Sequence, residues 1–188
     1  MLLFVNACAR GDSRTKKLAD YLLSNTKQKI EEVSLSDTKF PIVDESFLNK
    51  RNSLILQGEF DNPMFSLARQ FARADIIVIA APFWDLSFPA ALKQYFEQIN
   101  VVGVTFRYSE DGVPTGLCKA SKLYYITTAG GLYVPEEYGF GYVKAMAESF
   151  YGINEVKLFK AVGLDIVGAD ETKILQNCFD EIKKEAIF

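Results

Sequence analysis

Apolar residues in this chain come in short unbroken runs, most of them followed by a segment whose apolar positions recur at helical spacing. LLFVNA (2–7) reads as a strand, and Thr15–Ser24 follows as a helix with Leu18, Ala19, Leu22 and Leu23 at that spacing. Ile30–Leu35 alternates, with Ile30, Val33 and Leu35 apolar, as a more exposed strand does. A polar stretch containing Pro41 comes next, then a helix through Phe65–Ala74. IIVIAAP (76–82) is the strongest strand, being continuous, β-branched and stopped by a proline. Pro89–Ile99 opens with proline in a first helical turn and keeps Leu92, Tyr95, Phe96 and Ile99 on one face. Asp111-Gly112 then sits between two apolar arms as a hairpin signal. LYYITT (123–128) is a further strand, Tyr138–Phe150 a helix, Val156–Leu164 a fifth strand and Glu171–Glu185 a closing helix.

Strands alternating with helices imply parallel βαβ units, and near-continuous apolar strands imply a sheet covered on both faces. The pattern therefore predicts an α/β, doubly wound, five-stranded parallel sheet. No repeat or linker divides it, so one domain over residues 1–188 is expected. Such sheets bind ligands beyond the carboxyl ends of their strands, where the strand order reverses. The loops after the first, third and fourth strong strands are the ones to read for chemistry.

Composition narrows that chemistry. The chain has 188 residues, 49% hydrophobic and 24% charged, with a formal net charge of -3. No global positive field recruits nucleic acid or anionic lipid. Nor does any apolar stretch approach the ~20 residues of a membrane span. MLLFVNACARG carries no basic segment ahead of its apolar run, unlike a secretory signal, so a cytoplasmic protein is expected. Cys8, Cys118 and Cys178 lie far apart, which argues against a disulfide framework or zinc site; the last two read as small buried hydrophobes. Histidine is absent. Without it no Ser-His-Asp or Cys-His relay can be built, and difficult chemistry falls to a bound cofactor.

NACARGDSRT (6–15) has no GxGxxG or Walker pattern. It places Ser13, Arg14 and Thr15 at a helix start, where free amides and the helix dipole favour an anion. Two hydroxyls and a guanidinium can donate to one phosphate there; equally, Ser13 can be a plain N-cap. In APFWDLSFPAALK (81–93), Pro82 ends the central strand and Phe83, Trp84, Asp85 and Leu86 line the sheet edge. Those aromatic rings serve either as core packing or as the flat wall of a planar ligand. In TTAGGLY (127–133), Gly130-Gly131 permits either close approach to a ligand or a positive-φ turn. A phospho-receiver domain fits poorly, because NACA and AAPFWD lack its acidic residues.

These runs resemble the flavodoxin-like NAD(P)H oxidoreductases, especially the FMN-dependent NADH-azoreductases and quinone reductases. The likeness is densest in SRTKKLADYL (13–22), VIAAPFWDLSFPAALKQYFEQI (78–99), GVTFRYSEDG (103–112) and TTAGG (127–131). It implies a flavodoxin-like fold with FMN as cofactor and NADH or NADPH as donor. The implied acceptor is a quinone, or an azo or nitro aromatic, reduced by two electrons in a ping-pong cycle. It also implies that Ser13, Arg14 and Thr15 hold the phosphate. Pro82, Phe83, Trp84, Asp85 and Leu86 then follow the flavin ring, with Thr128, Ala129, Gly130 and Gly131 forming a second flavin loop. Tyr108 and Phe150 match aromatic positions that border the substrate space in a homodimer. Two positions depart from the pattern. Cys8 stands where serine is frequent, so a phosphate hydrogen bond there is either weaker or replaced, with Arg10 as the candidate, and Asp85 puts a carboxylate where an amide is common. The competing reading is a flavin electron carrier or redox-sensing module without turnover.

Overall fold

In the computed structural model, which describes residues 1–186, the central strands are unbroken apolar runs because both faces of the sheet are covered there. β1 (Leu2–Asn6) and β3 (Ile76–Ala80) are buried at every position. Their odd-numbered residues Leu3, Val5, Ile77 and Ile79 join a core with Phe71 of α3 (Ser66–Arg73) and Leu92 and Phe96 of α4 (Ala90–Ile99). Their even-numbered residues Leu2, Phe4, Ile76 and Val78 pack on the opposite face. There they meet Leu18 and Leu22 of α1 (Arg14–Ser24) and Ile182 of α6 (Glu171–Glu185).

Five parallel strands run in the order β2-β1-β3-β6-β7, with β2 spanning Ile30–Ser34, β6 Lys122–Thr128 and β7 Glu155–Ala161. Counting only these five, the order is 2-1-3-4-5, and the chain reverses its direction of travel across the sheet between β1 and β3. The edge position of β2 accounts for its alternating pattern, with Val33 buried and Ile30 exposed. Among the described residues no helix is long and apolar enough to cross a membrane.

Three elements differ from expectation. Glu45–Leu56 is a helix, α2, within the stretch read only as polar and assigned no element. Its only buried residue is Leu54, so no apolar stripe announces it, although Asp44 caps it by accepting from the Phe47 amide. The helix expected over Tyr138–Phe150 is shorter: α5 covers Phe140–Met146, and Ala147–Tyr151 form a π-helical turn. The fifth strand ends at Ala161 rather than Leu164, because Gly163 takes a φ of 80° and turns the chain out of the sheet.

The expected hairpin is present, β4 (Phe106–Tyr108) pairing antiparallel with β5 (Pro114–Gly116). It lies hard against the π-helical turn. A Cβ on Gly116 would stand 2.1 Å from the Tyr151 carbonyl carbon and 2.2 Å from the Gly152 nitrogen. Tyr151 is itself buried, with its ring edge-on to Phe71 at 4.8 Å and its hydroxyl donating to Asn100 Oδ1 at 2.6 Å. Cys178 is buried as expected, whereas Cys118 is only partly covered.

Candidate active site

The carboxyl ends of β1, β3 and β6 open on a cleft of about 620 Å³, within the usual range for small-molecule sites. Its first wall is the β1–α1 loop. Asn6 turns the chain out of the sheet, its Oδ1 accepting from the Cys8 amide at 3.0 Å while its Nδ2 donates to Glu32 at 2.9 Å. Cys8 lies behind this wall. It is buried, its thiol points at the Ala80 carbonyl at 3.8 Å, and burial raises its pKa, so it stays a neutral thiol. Ala9, Arg10 and Asp12 follow along the rim.

At the start of α1, Ser13 Oγ accepts from the Lys16 amide at 3.3 Å, a true N-cap. A helix has no internal acceptor for its first amides, so those of Arg14 and Thr15 open the helix beside the cleft. The Thr15 hydroxyl pairs with that of Thr128 at 2.6 Å, locking the helix start to the end of β6. The expected trio of side-chain donors is therefore redistributed. What faces an anion is two amides, the spare hydroxyl hydrogens, and whatever part of Arg14 its partners leave. Those partners are Asp165, whose Oδ1 is 2.8 Å from Arg14 Nη1, and Glu171 at 3.6 Å.

The second wall follows β3. The Phe83 amide donates to the Thr128 carbonyl at 3.0 Å, carrying the sheet one bond further. Trp84 and Ser87 then exchange amide-to-carbonyl bonds at 2.9 and 2.8 Å around Asp85 and Leu86, both with positive φ, 50° and 67°. This is a type I′ geometry without glycine, at a cost of roughly 1–2 kcal/mol per residue. Strain of this kind collects where a loop must hold one shape for function. Pro82, Phe83, Trp84 and Asp85 line the cleft, and Leu86 sits at the outer tip, exposed. Trp84 is 39% exposed, so it is not a core residue.

The third wall is Thr128 and Gly130 after β6. Neither Gly130 nor Gly131 has a positive φ, so the turn explanation of this pair does not hold. Gly130 is small for a different reason: a Cβ there would meet Asp165 Oδ2 at 2.1 Å. Ala129 is buried in the strand end and Gly131 exposed beyond it. Asp165, from the loop after β7, and Glu171, the first residue of α6, complete the lining. Neither is legible at the three strand ends the apolar pattern marks, although Asp165 lies just past the run that ends at Leu164. Arg14 holds the Asp165 carboxyl below the usual carboxylate range, and Asp165 in turn raises the Arg14 pKa, so both are charged.

A family model for the flavodoxin-like fold matches residues 1–186. The chain belongs to this flavodoxin-like family. An FMN-dependent NADH:quinone oxidoreductase of Clostridium acetobutylicum is 39% identical over 193 residues, covering 96% of this chain and 94% of that protein. A second, from Clostridium beijerinckii, is 34% identical over 188 residues, covering 96% and 94%. Among solved structures, an FMN-dependent NADH-azoreductase from Bacillus anthracis in complex with FMN superposes with a TM-score of 0.82 at 27% identity, covering 98% of this chain and 96% of that one.

Two expected residues of the flavodoxin-like chain stand outside the cleft. Tyr108, on β4, is 52% exposed and packs edge-on against Phe106 at 5.4 Å. Phe150, in the π-helical turn, meets the same ring from another side at 5.0 Å. The two share a cluster with each other, not with Trp84 and Thr128. The exposed ring of this cluster, that of Tyr108, lies on the surface of the chain.

Proposed function

We propose that this chain is an FMN-dependent NADH:quinone oxidoreductase, with azo and nitro aromatics as further acceptors. The observation that carries this is a single cleft with two chemically different ends at the reversal point of the sheet. FMN joins a phosphate dianion to a flat ring, and the cleft fits both. The start of α1 with Arg10, Arg14 and Lys17 suits the phosphate, and Phe83 with Trp84 suits the ring. The acids Asp165 and Glu171, which would repel a phosphate, are already engaged by Arg14. The names of the two clostridial relatives support the donor and the acceptor class.

FMN would supply two-electron transfer between nicotinamide and acceptor; the protein's part is to bind and orient. The carbonyls of Ala129, Gly130 and Gly131 all accept from the loop after β7, while the amides of Gly130 and Gly131 donate to no backbone carbonyl among the described residues and would serve as donors toward the ring edge. Such fixed amides stabilise negative charge as it develops. The turn at Trp84–Ser87 uses two of its own amides internally, so those of Asp85 and Leu86 are available beside the ring. Among the described residues the cleft lining holds no buried acid or base, so the protons consumed in quinone reduction come from water. The protein works in the cytoplasm as a homodimer, in which Tyr108 and Phe150 of each copy border the acceptor space of the other. The exposure of Tyr108, Val113 and Leu117 along one hairpin supports that arrangement.

Trp84 is the only tryptophan, so its fluorescence reports on the cleft directly. Titration with FMN should quench it to a 1:1 endpoint, and the loaded protein should oxidise NADH in the presence of benzoquinone. Quenching without quinone-dependent turnover would leave a flavin carrier instead of an enzyme.

A further inference from the structure

Arg14 is the first residue of α1, and its partners among the described residues all lie on one nitrogen. Nη1 donates to Asp165 Oδ1 at 2.8 Å and to the Leu164 carbonyl at 3.4 Å, and it stands 3.6 Å from Glu171 Oε2. A guanidinium carries its five N–H groups in a rigid planar fork. Once Nη1 is held, the plane of the group is fixed. The edge formed by Nε and Nη2 is then presented as a ready-made pair of donors, the geometry that best receives a phosphate.

Asp165 can do this because its own place is fixed by backbone. Its amide donates to the Gly130 carbonyl at 3.0 Å, and the two preceding amides are tied likewise, Leu164 to Ala129 at 3.2 Å and Gly163 to Gly131 at 2.9 Å. The carboxylate lies over Gly130, in space that any side chain at 130 would fill. Its charge is retained because Arg14 holds its pKa down. A carboxylate beside an anion site is otherwise a poor choice, since it repels the ligand; spent on orienting the arginine, it has a use.

We infer that Asp165 is a positioning residue for the cofactor phosphate, gripping one nitrogen of Arg14 so that the other edge of the guanidinium meets the anion. This rests on the proposed placement of the FMN phosphate at the start of α1. Riboflavin, which lacks the phosphate, is therefore the control ligand. Dissociation constants for FMN and riboflavin would be measured by Trp84 quenching on the parent protein, Asp165→Ala, Asp165→Asn, Arg14→Ala and the Arg14→Ala/Asp165→Ala double variant. Freeing one long side chain from its bound orientation weakens binding by about fivefold to tenfold. That loss is expected for FMN with Asp165→Ala, and riboflavin should bind as before. Asp165→Asn keeps an acceptor for Nη1 and should recover most of the difference. In the Arg14→Ala background Asp165 has no arginine to orient, so removing it should not weaken FMN binding further and, by taking a negative charge from the site, should tighten it.

Unchanged or tighter FMN binding by Asp165→Ala would overturn the inference, marking Asp165 as a bystander or a competitor for Arg14. Equal weakening of both flavins would reduce it to a structural residue. If Arg14→Ala itself leaves the FMN-to-riboflavin ratio unaltered, the phosphate placement fails and takes this inference with it. If Arg14→Ala lowers the ratio and Asp165→Ala does not, the phosphate placement stands and the role given to Asp165 alone is lost.

Discussion

The hydroxyl pair of Thr15 and Thr128 allows a stability prediction with an unusual sign pattern. Both residues are buried, at 0% and 6% exposure, and their oxygens are 2.6 Å apart. Replacing Thr15 with valine keeps the shape and deletes one oxygen, stranding the Thr128 hydroxyl without its partner. An unsatisfied buried hydroxyl costs about 1–3 kcal/mol. In a domain of this size each kilocalorie moves Tm by roughly 2–4 °C, so either single variant should melt about 2–12 °C lower. Removing both hydroxyls strands neither. The Thr15→Val/Thr128→Val protein should therefore recover most of the loss, ending within about 1 kcal/mol of the parent. Urea unfolding of the four flavin-free proteins measures the cycle. Flavin binding follows a different course, since the double variant loses the hydroxyl hydrogens beside the phosphate site and should bind FMN more weakly than the parent. Additive losses in the double variant would refute the pairing as the source of the effect. Single variants as stable as the parent would show that water reaches the stranded oxygen.

Two other predictions follow from close packing and from charge. Gly116→Ala drives a methyl group into the Tyr151–Gly152 backbone, which cannot yield as a side chain would, so the hairpin and the π-helical turn must part. The expected loss is about 3 kcal/mol, read from urea unfolding, and an unaltered midpoint would contradict the contact. Glu31 receives hydrogen bonds from Gln70 at 3.1 Å, Arg73 at 2.7 Å and Lys29 at 3.2 Å, and these lower its pKa to about 2. Because the folded pKa lies below the unfolded one, this contribution is complete above the ordinary glutamate range and is lost as pH falls toward 2. Tm should decline over that window, and Glu31→Gln should make the decline shallower; identical slopes would remove Glu31 from the account.

What the sequence made legible was whatever depends on periodicity. β1 and β3 are buried on both faces and so appear as unbroken apolar runs, and α1 and α4 bury one stripe each. α2 was hidden because it buries only Leu54, leaving a cap residue as its sole sign. The π-helical turn has no signature of its own in the apolar pattern, and the early end of β7 depends on the backbone angle of Gly163. At the site, the walls after β1, β3 and β6 were read from residue types at strand ends. The positive φ of Leu86 was invisible, since leucine is a poor choice for that conformation. The partnership of Arg14 with Asp165 joins residues 151 apart in sequence and could not be seen before the fold was known.

The three backbone bonds that join residues 129–131 to residues 163–165 restrict how this chain can be altered. Adding or removing one residue in either loop slips the register of the set and carries Asp165 away from Gly130. The two segments are thus inherited as a unit, though more than thirty positions separate them. Recombination between related chains should tolerate a crossover ahead of β6 or within α6. A crossover between β6 and β7 would combine one half of the clasp with a stranger. Length variation belongs instead at the hairpin tip around Gly112, where a turn faces open space and nothing downstream depends on its count.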